Sequence, residues 1–238
     1  MGKRYRMHHM MGDLDLRVLK AALQLNSTSV GLISEVTGLS KQIVRDSLES
    51  LGLESVEGDV RSSLVEATLR WVEKARAFEE ASRALTWELY EALVSGILER
   101  AGFFVVKNLR VVMGRRRAQI DVAALSGSAL YVFECKRWMR SLTGKMAMNE
   151  AKKLKRRTEL LCEALKSLLG DGTYTYCVVP ILVSPYVAPG IGDAFIAPLR
   201  SLLSLLSSHP STLPSPPAFK IQLGRELTPD LLKKLRSS

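Results

Sequence analysis

Ala129-Leu-Tyr-Val-Phe-Glu-Cys-Lys-Arg-Trp138 is the stretch whose reading decides the rest of the chain. Leu130, Tyr131, Val132 and Phe133 form an unbroken apolar run, aromatic and β-branched, the pattern of a buried strand. Glu134 and Lys136 then interrupt it. Strand side chains alternate, so these two charges point to one face while Phe133 and Cys135 point to the other. A charged pair at the end of a core strand is either a strand end reaching solvent or a pair that something uses, because burying charge without a partner is costly.

Upstream, Arg115-Arg-Arg-Ala-Gln-Ile-Asp-Val-Ala-Ala-Leu125 is a second strand candidate, separated from the first by Ser126-Gly127-Ser128. Gly-Ser is a hairpin-turn signal. With the turn at Gly127-Ser128, Ser126 faces Ala129 and counting outward sets Asp121 opposite Glu134. Residues directly opposed across two strands have Cβ atoms roughly 4.5–5.5 Å apart. Two bare carboxylates at that spacing repel, and a divalent cation between them turns repulsion into binding. Hard oxygen donors suit Mg²⁺, with Mn²⁺ as the alternative. Lys136 falls one strand repeat from Glu134 on the same face.

Asp121 followed across a short hairpin by Glu134-Cys135-Lys136 resembles the PD-(D/E)xK nuclease superfamily. The helical stretch Trp87-Glu-Leu-Tyr-Glu-Ala-Leu-Val-Ser-Gly-Ile-Leu-Glu-Arg-Ala-Gly-Phe103 is similar to the opening helix of its restriction-endonuclease-like and archaeal Holliday-junction-resolvase-like members. The resemblance covers roughly Leu85 to Ser184 in the order helix, strand, Asp strand, ExK strand, helix, strand. It implies that Asp121, Glu134 and the backbone carbonyl of Cys135 hold Mg²⁺, that Glu91 binds this ion through water or joins a second one, and that Lys136 is catalytic. Glu88 is a poorer match than Glu91. Ala118-Gln119 stands where many relatives carry Gly-Glu. A second ExK, Glu150-Ala-Lys152, lies on a helical stretch where residues two apart do not share a face, and is set aside.

The chain has 238 residues, 47% hydrophobic, with a formal net charge of +10. Residues 1–84 carry 12 Lys+Arg and 12 Asp+Glu, so the whole excess lies in residues 85–238. A polyanionic partner fits that excess. The resemblance makes it DNA, duplex or branched, bound by a homodimer, because cutting both strands usually needs two sites. Three widely spaced cysteines, with no CxxC, argue against a disulfide framework or a zinc module. No apolar run approaches the ~20 residues of a membrane span, and residues 1–11 lack the apolar region of a signal peptide. The expectation is a soluble, cytoplasmic protein without a membrane partner.

The expected class is α/β: an N-terminal all-α winged helix-turn-helix, then a restriction-endonuclease-like domain with a central mixed sheet flanked by helices. Residues 1–12 read as a flexible arm, 13–61 as the winged helix-turn-helix, 62–84 as a connecting helix and 85–238 as the nuclease-like domain. In the first module Ser40 is the expected N-cap of the third helix. Ile43, Val44, Leu48 and Leu51 should face inward, and Lys41, Gln42 and Arg45 outward. Asp46 and Glu49 share that outward side, so the helix reads either as a DNA reader or as a protein-contact surface. Leu53–Arg61 is the candidate wing.

Further DNA-binding candidates are Arg115, Arg116 and Arg117 on a hairpin tip, then Arg137, Trp138, Arg140 and Lys145 after the ExK strand. Lys152, Lys153 and Arg156 stand on a long helix over residues 146–169. Each group equally suits a solvated surface. Trp138 either stacks on a base or covers the sheet edge. Pro180 implies a bulge or an edge in the strand over 174–184, and residues 191–207 read as an amphipathic helix. The activity expected is metal-dependent hydrolysis of DNA phosphodiesters in restriction, repair or recombination. The alternative is a non-catalytic DNA-binding or regulatory protein that uses the winged helix and keeps the nuclease fold as a scaffold.

Overall fold

The computed structural model describes residues 2–54, 59–75, 82, 85–138, 144–207 and 217–237. The chain divides into two compact units, Met1–Gly96 and Ile97–Ser238. None of the described helices is long and apolar enough to cross a membrane.

The first unit is helical: α1 (Gly2–Leu25), α2 (Val30–Thr37), α3 (Lys41–Ser50), α4 (Val60–Ala75) and the start of α5 (Trp87–Arg100). Residues 2–12 continue α1 rather than forming a separate arm. The stretch is rich in Lys, Arg and Met, which favour helix, and it contains no proline to stop one. Ser40 caps α3, its hydroxyl accepting from the Ile43 amide at 3.3 Å. Val44 and Leu48 are buried as the spacing predicts, whereas Ile43 is exposed. Ile43 lies one residue off the buried stripe of Val44, Ser47 and Leu48, on the solvent side of the helix. No strand occurs among the described residues of the candidate wing, and residues 55–58 of it lie outside the described residues.

The division between units falls inside α5, later than the boundary read at 84/85. Part of the reason is close helix packing. A Cβ on Gly96 would sit 2.6 Å from Leu69 Cδ1, so glycine lets α5 approach α4. Of the connecting stretch 62–84, α4 accounts for the first part; residues 76–81, 83 and 84 lie outside the described residues.

The second unit is built on a mixed seven-stranded sheet: β1 (Phe104–Met113), β2 (Arg116–Ser126), β3 (Ala129–Cys135), β4 (Tyr174–Ser184), β5 (Gly190–Ile191), β6 (Phe195–Pro198) and β7 (Phe219–Leu223). The order is β1-β2-β3-β4-β6-β5, with β7 also on β4. β1, β2 and β3 are antiparallel, and β4 returns parallel to β3 after the long helix α6 (Gly144–Leu169). The return needs a crossover because parallel strands cannot be joined by a tight turn.

One face of the sheet packs on α6 through Leu130, Val132, Val178 and Leu182 against Ala147, Ala151, Leu154, Leu161 and Leu165. Tyr131 and Phe133 are buried on the opposite side of β3, where Phe103 meets Tyr131 edge-on at 5.6 Å. A C-terminal helix, α8 (Pro229–Ser237), adds Leu232 to the core.

Pro180 sits in a central strand without breaking it. On its β3 side it pairs with Val132. On the other side β7 pairs with Tyr174–Val178 and β6 with Ile181–Ser184, so Pro180 falls in the gap between the two partners. Locally it is an edge position, where a missing donor is tolerated. Residues 191–207 differ from the helix read for them. β6, a 3₁₀ turn (Leu199–Ser201) and a short α7 (Leu202–Leu206) occupy the span. Gly192 and Pro198 interrupt the helical pattern, and Phe195–Pro198 is buried as a parallel partner of β4.

Candidate active site

The β2–β3 hairpin has the expected register. Ser126 faces Ala129, and the ladder runs to Val122 opposite Phe133. Gly127 takes φ +52° at the turn, a conformation glycine adopts without steric cost. The next opposed positions are Asp121 and Glu134. There the backbone ladder stops, and the Asp121 carboxylate takes over as acceptor: the Cys135 amide donates to its Oδ2 at 2.8 Å.

β1 changes character at the same level. Its pairs Lys107–Val122 and Leu109–Ile120 set Asn108 opposite Asp121, and Asn108 has φ +53°. Val106 and Leu109, three apart, both join the core on α6, as do Ile120 and Ala123. Strict alternation would send each pair to opposite faces. The left-handed Asn108 therefore marks a break in the pleat beside Asp121. Gln119 Nε2 donates to Asn108 Oδ1 at 3.2 Å.

Glu134 and Lys136 share a face, as the spacing requires. Lys136 Nζ lies 2.7 Å from Glu134 Oε1, with the glutamate side chain 3% exposed and the lysine 29%. Arg157 of α6 pairs through Nη1 with the other oxygen, Oε2. Glu150 of α6 stands 3.6 Å from Lys136 Nζ and 2.6 Å from Lys153 Nζ. Burial pushes the Asp121 carboxyl up to about 6, helped by the negative charge of Glu134. The Cys135 amide, Lys136 and Arg157 oppose the rise. At Lys136 burial works against the ammonium, but its hydrogen bond and ion pair with Glu134, with Glu150 and Asp121 behind them, raise its pKa on balance.

Arg157, Glu150 and Asn108 are the site residues that sequence reasoning missed. Glu150 and Arg157 are seven apart, two helical turns on one side of α6, which is a legible spacing. Nothing local says which strand end that side meets. Glu150 does not share a face with Lys152; its partners are Lys153 and Lys136. Asn108 is the one asparagine in an otherwise strand-forming run, and asparagine tolerates the left-handed region.

Glu91 is buried on α5 and belongs to the first compact unit, whereas Asp121, Glu134 and Lys136 belong to the second. Among the described residues no group of three or more His, Cys, Asp or Glu side chains gathers as a metal site. Asp121 and Glu134 nonetheless fit a hard divalent ion. Both are buried oxygen donors at adjacent strand positions, and the negative charge of one raises the pKa of the other.

The basic candidates separate into groups. Lys136, Trp138, Lys152, Lys153 and Arg156 line one cavity of about 480 Å³. Arg116, Arg117 and Arg156 line a second, of about 390 Å³, with Arg157. Arg116 is paired with Glu163. Arg115 and Lys145 are exposed, Arg137 is half-buried, and Arg140 lies outside the described residues. Lys41, Gln42 and Arg45 are exposed on α3, where Gln42 donates to Asp46 at 2.8 Å.

No curated protein matches the chain. Among solved structures, a protein of unknown function designated AF1548 is 17% identical, with a TM-score of 0.31, covering 51% of this chain and 55% of its own. Protein VC1899 from Vibrio cholerae is also 17% identical, with a TM-score of 0.29, covering 96% of this chain and 54% of its own. The chain spans about half the length of each. Residues 86–185, which contain Glu91, Asp121, Glu134 and Lys136, match the family model described as nuclease-related domain, NERD. That stretch is thus a nuclease-related domain with a PD-(D/E)xK-like nuclease fold.

Proposed function

We propose that the protein is a metal-dependent endodeoxyribonuclease. The observation that carries this reading is the packing of Asp121, Glu134 and Lys136 at one hairpin end, with the Lys136 ammonium 2.7 Å from Glu134. Asp121, Glu134 and the Cys135 carbonyl would hold Mg²⁺, or Mn²⁺ in its place. Such an ion polarises a phosphodiester and lowers the pKa of water beside it.

The remaining work falls to the chain itself. Lys136 aligns the attacking water and offsets negative charge that develops on the phosphorus oxygens. Arg157, now on Glu134, is the nearest second cation to do the same. The Cys135 amide holds the Asp121 carboxylate in place. Lys152, Lys153 and Arg156 bind the backbone phosphates on either side. The excess of basic residues after residue 84 supports DNA as the substrate.

The test is nicking of supercoiled plasmid in Mg²⁺ or Mn²⁺, against EDTA, with Asp121→Ala and Lys136→Ala in parallel. Metal-dependent nicking by the wild type, lost in both variants, is the expected result. Full activity in Lys136→Ala defeats the assignment. DNA binding without metal-dependent cleavage in any condition leaves the non-catalytic binder.

A further inference from the structure

The cavity beside Lys136 has a wall that phosphate chemistry alone does not need. Trp138 packs part of its side chain on the sheet core, and Met146 is 52% exposed; both line the space of about 480 Å³ that Lys136 opens into. An indole held against a core, with a thioether lining the same cavity, offers an apolar surface for something flat. Asn149 lines the same cavity from an exposed helix position and offers both a donor and an acceptor. The Glu150 carboxylate is drawn off by Lys136 and Lys153, so it does not repel an anion. Lys152 and Arg156 supply further cations to the same space.

A flat apolar slot, an amide and several cations match one nucleotide: base on the indole, base edge on the amide, phosphate on the cations. Small-molecule sites run from roughly 300 to 1,000 Å³, and this cavity lies at the low end. It has room for one nucleoside. A base inside a duplex has both faces covered by its neighbours and offers none to an indole.

We infer that this cavity takes a single unstacked base of a DNA strand. The favoured substrate then carries an unpaired nucleotide next to the phosphate that faces Lys136, as in a flap, gap or branch point. Stacking on Trp138 distinguishes such strands from continuous duplex. The inference uses the nuclease reading only to call that phosphate the one that is cut; the binding stands apart from it.

The experiment follows 2-aminopurine fluorescence in EDTA, where no cleavage occurs, using the full chain. Strands carry the probe in a single-stranded flap or in continuous duplex. We expect quenching and tighter binding with the flap, retained in Trp138→Phe. Trp138→Ala should weaken flap binding by roughly 5- to 150-fold, the range for loss of one stacked base. Met146→Ala and Asn149→Ala sit on a solvent-facing helix surface that does not decide folding, and should weaken it in the same direction. Equal flap affinity in wild type, Trp138→Ala and Asn149→Ala, without quenching, overturns the inference. Plasmid nicking is scored separately. Nicking with no flap preference and no quenching removes the base slot and leaves the nuclease. Trp138-dependent quenching without nicking supports the slot and removes the nuclease.

Discussion

The backbone amide of Cys135 donates to Asp121 Oδ2 at 2.8 Å, one step beyond the last paired rung of β2 and β3. A side chain thus ends the ladder in place of a carbonyl. It holds a buried carboxylate next to Glu134, and its cost is electrostatic.

That cost predicts a pH dependence. Burial and Glu134 raise the Asp121 carboxyl from its ordinary 3.8 to about 6 in the folded protein. A raised folded pKa means that the contribution to stability is fully present below about pH 4 and is lost as pH rises through 6. Asp121→Asn removes the charge and keeps an acceptor for the Cys135 amide. Metal-free, at pH 8, it should be more stable than wild type by about 2–3 kcal/mol, with the gap closing toward pH 4. Denaturant melts in EDTA across pH 4–8 measure this. A gap that is constant with pH contradicts it.

Lys136 and Arg157 each neutralise one oxygen of Glu134, but in different ways. Lys136 is on the same strand end, while Arg157 reaches in from α6 with its side chain 32% exposed. Replacing Arg157 by Met leaves Glu134 with one cation. The metal-free protein should lose about 1–2 kcal/mol, and divalent binding should tighten because a competing cation is gone. Thermal melts with and without Mn²⁺ should show a lower starting Tm and a larger metal-induced rise than in wild type.

Lys136→Met should behave differently. Cleavage should fall by roughly 100-fold or more, the scale seen when one charge-stabilising donor is removed from an active site. DNA affinity in EDTA should change little by comparison. Single-turnover rates alongside binding isotherms separate the two, and a loss confined to affinity would make Lys136 a phosphate contact only.

Asn108 tests whether the pleat break is built in. Its φ of +53° is left-handed, a region that costs an ordinary L-residue roughly 1–2 kcal/mol. Asn108→Gly should therefore be neutral or slightly stabilising, apart from the lost contact with Gln119. Asn108→Val should cost at least that amount, and it should disturb Asp121 on the opposite strand. Chemical denaturation ranks the three proteins.

The cluster on α6 predicts a salt dependence. Lys152, Lys153 and Arg156 neutralise phosphates if DNA runs along this helix. Each contact contributes about 0.9 to the slope of log K against log salt. Replacing all three by Gln should lower the slope by about 2–3. An unchanged slope places the DNA elsewhere.

The amino-acid sequence by itself determined the hairpin. Alternation and the Gly127-Ser128 turn were enough to align β2 with β3 and to put Lys136 on the face of Glu134. Most individual strands and helices were equally legible, because they announce themselves through period two and period 3.6; their assembly into a mixed sheet flanked by helices was what the resemblance implied. Both signals are local, carried by residues a few positions apart. The helix read over 191–207 failed for the same reason. Its apolar spacing was compatible with helix, and only β4, far away in sequence, makes Phe195–Pro198 a strand. Tertiary structure alone decided that Arg157 and Glu150 join Glu134 and Lys136, and that Trp138 and Met146 share a cavity. Which way α6 is turned as it crosses the sheet depends on how its whole apolar stripe packs, and no short stretch of sequence records that.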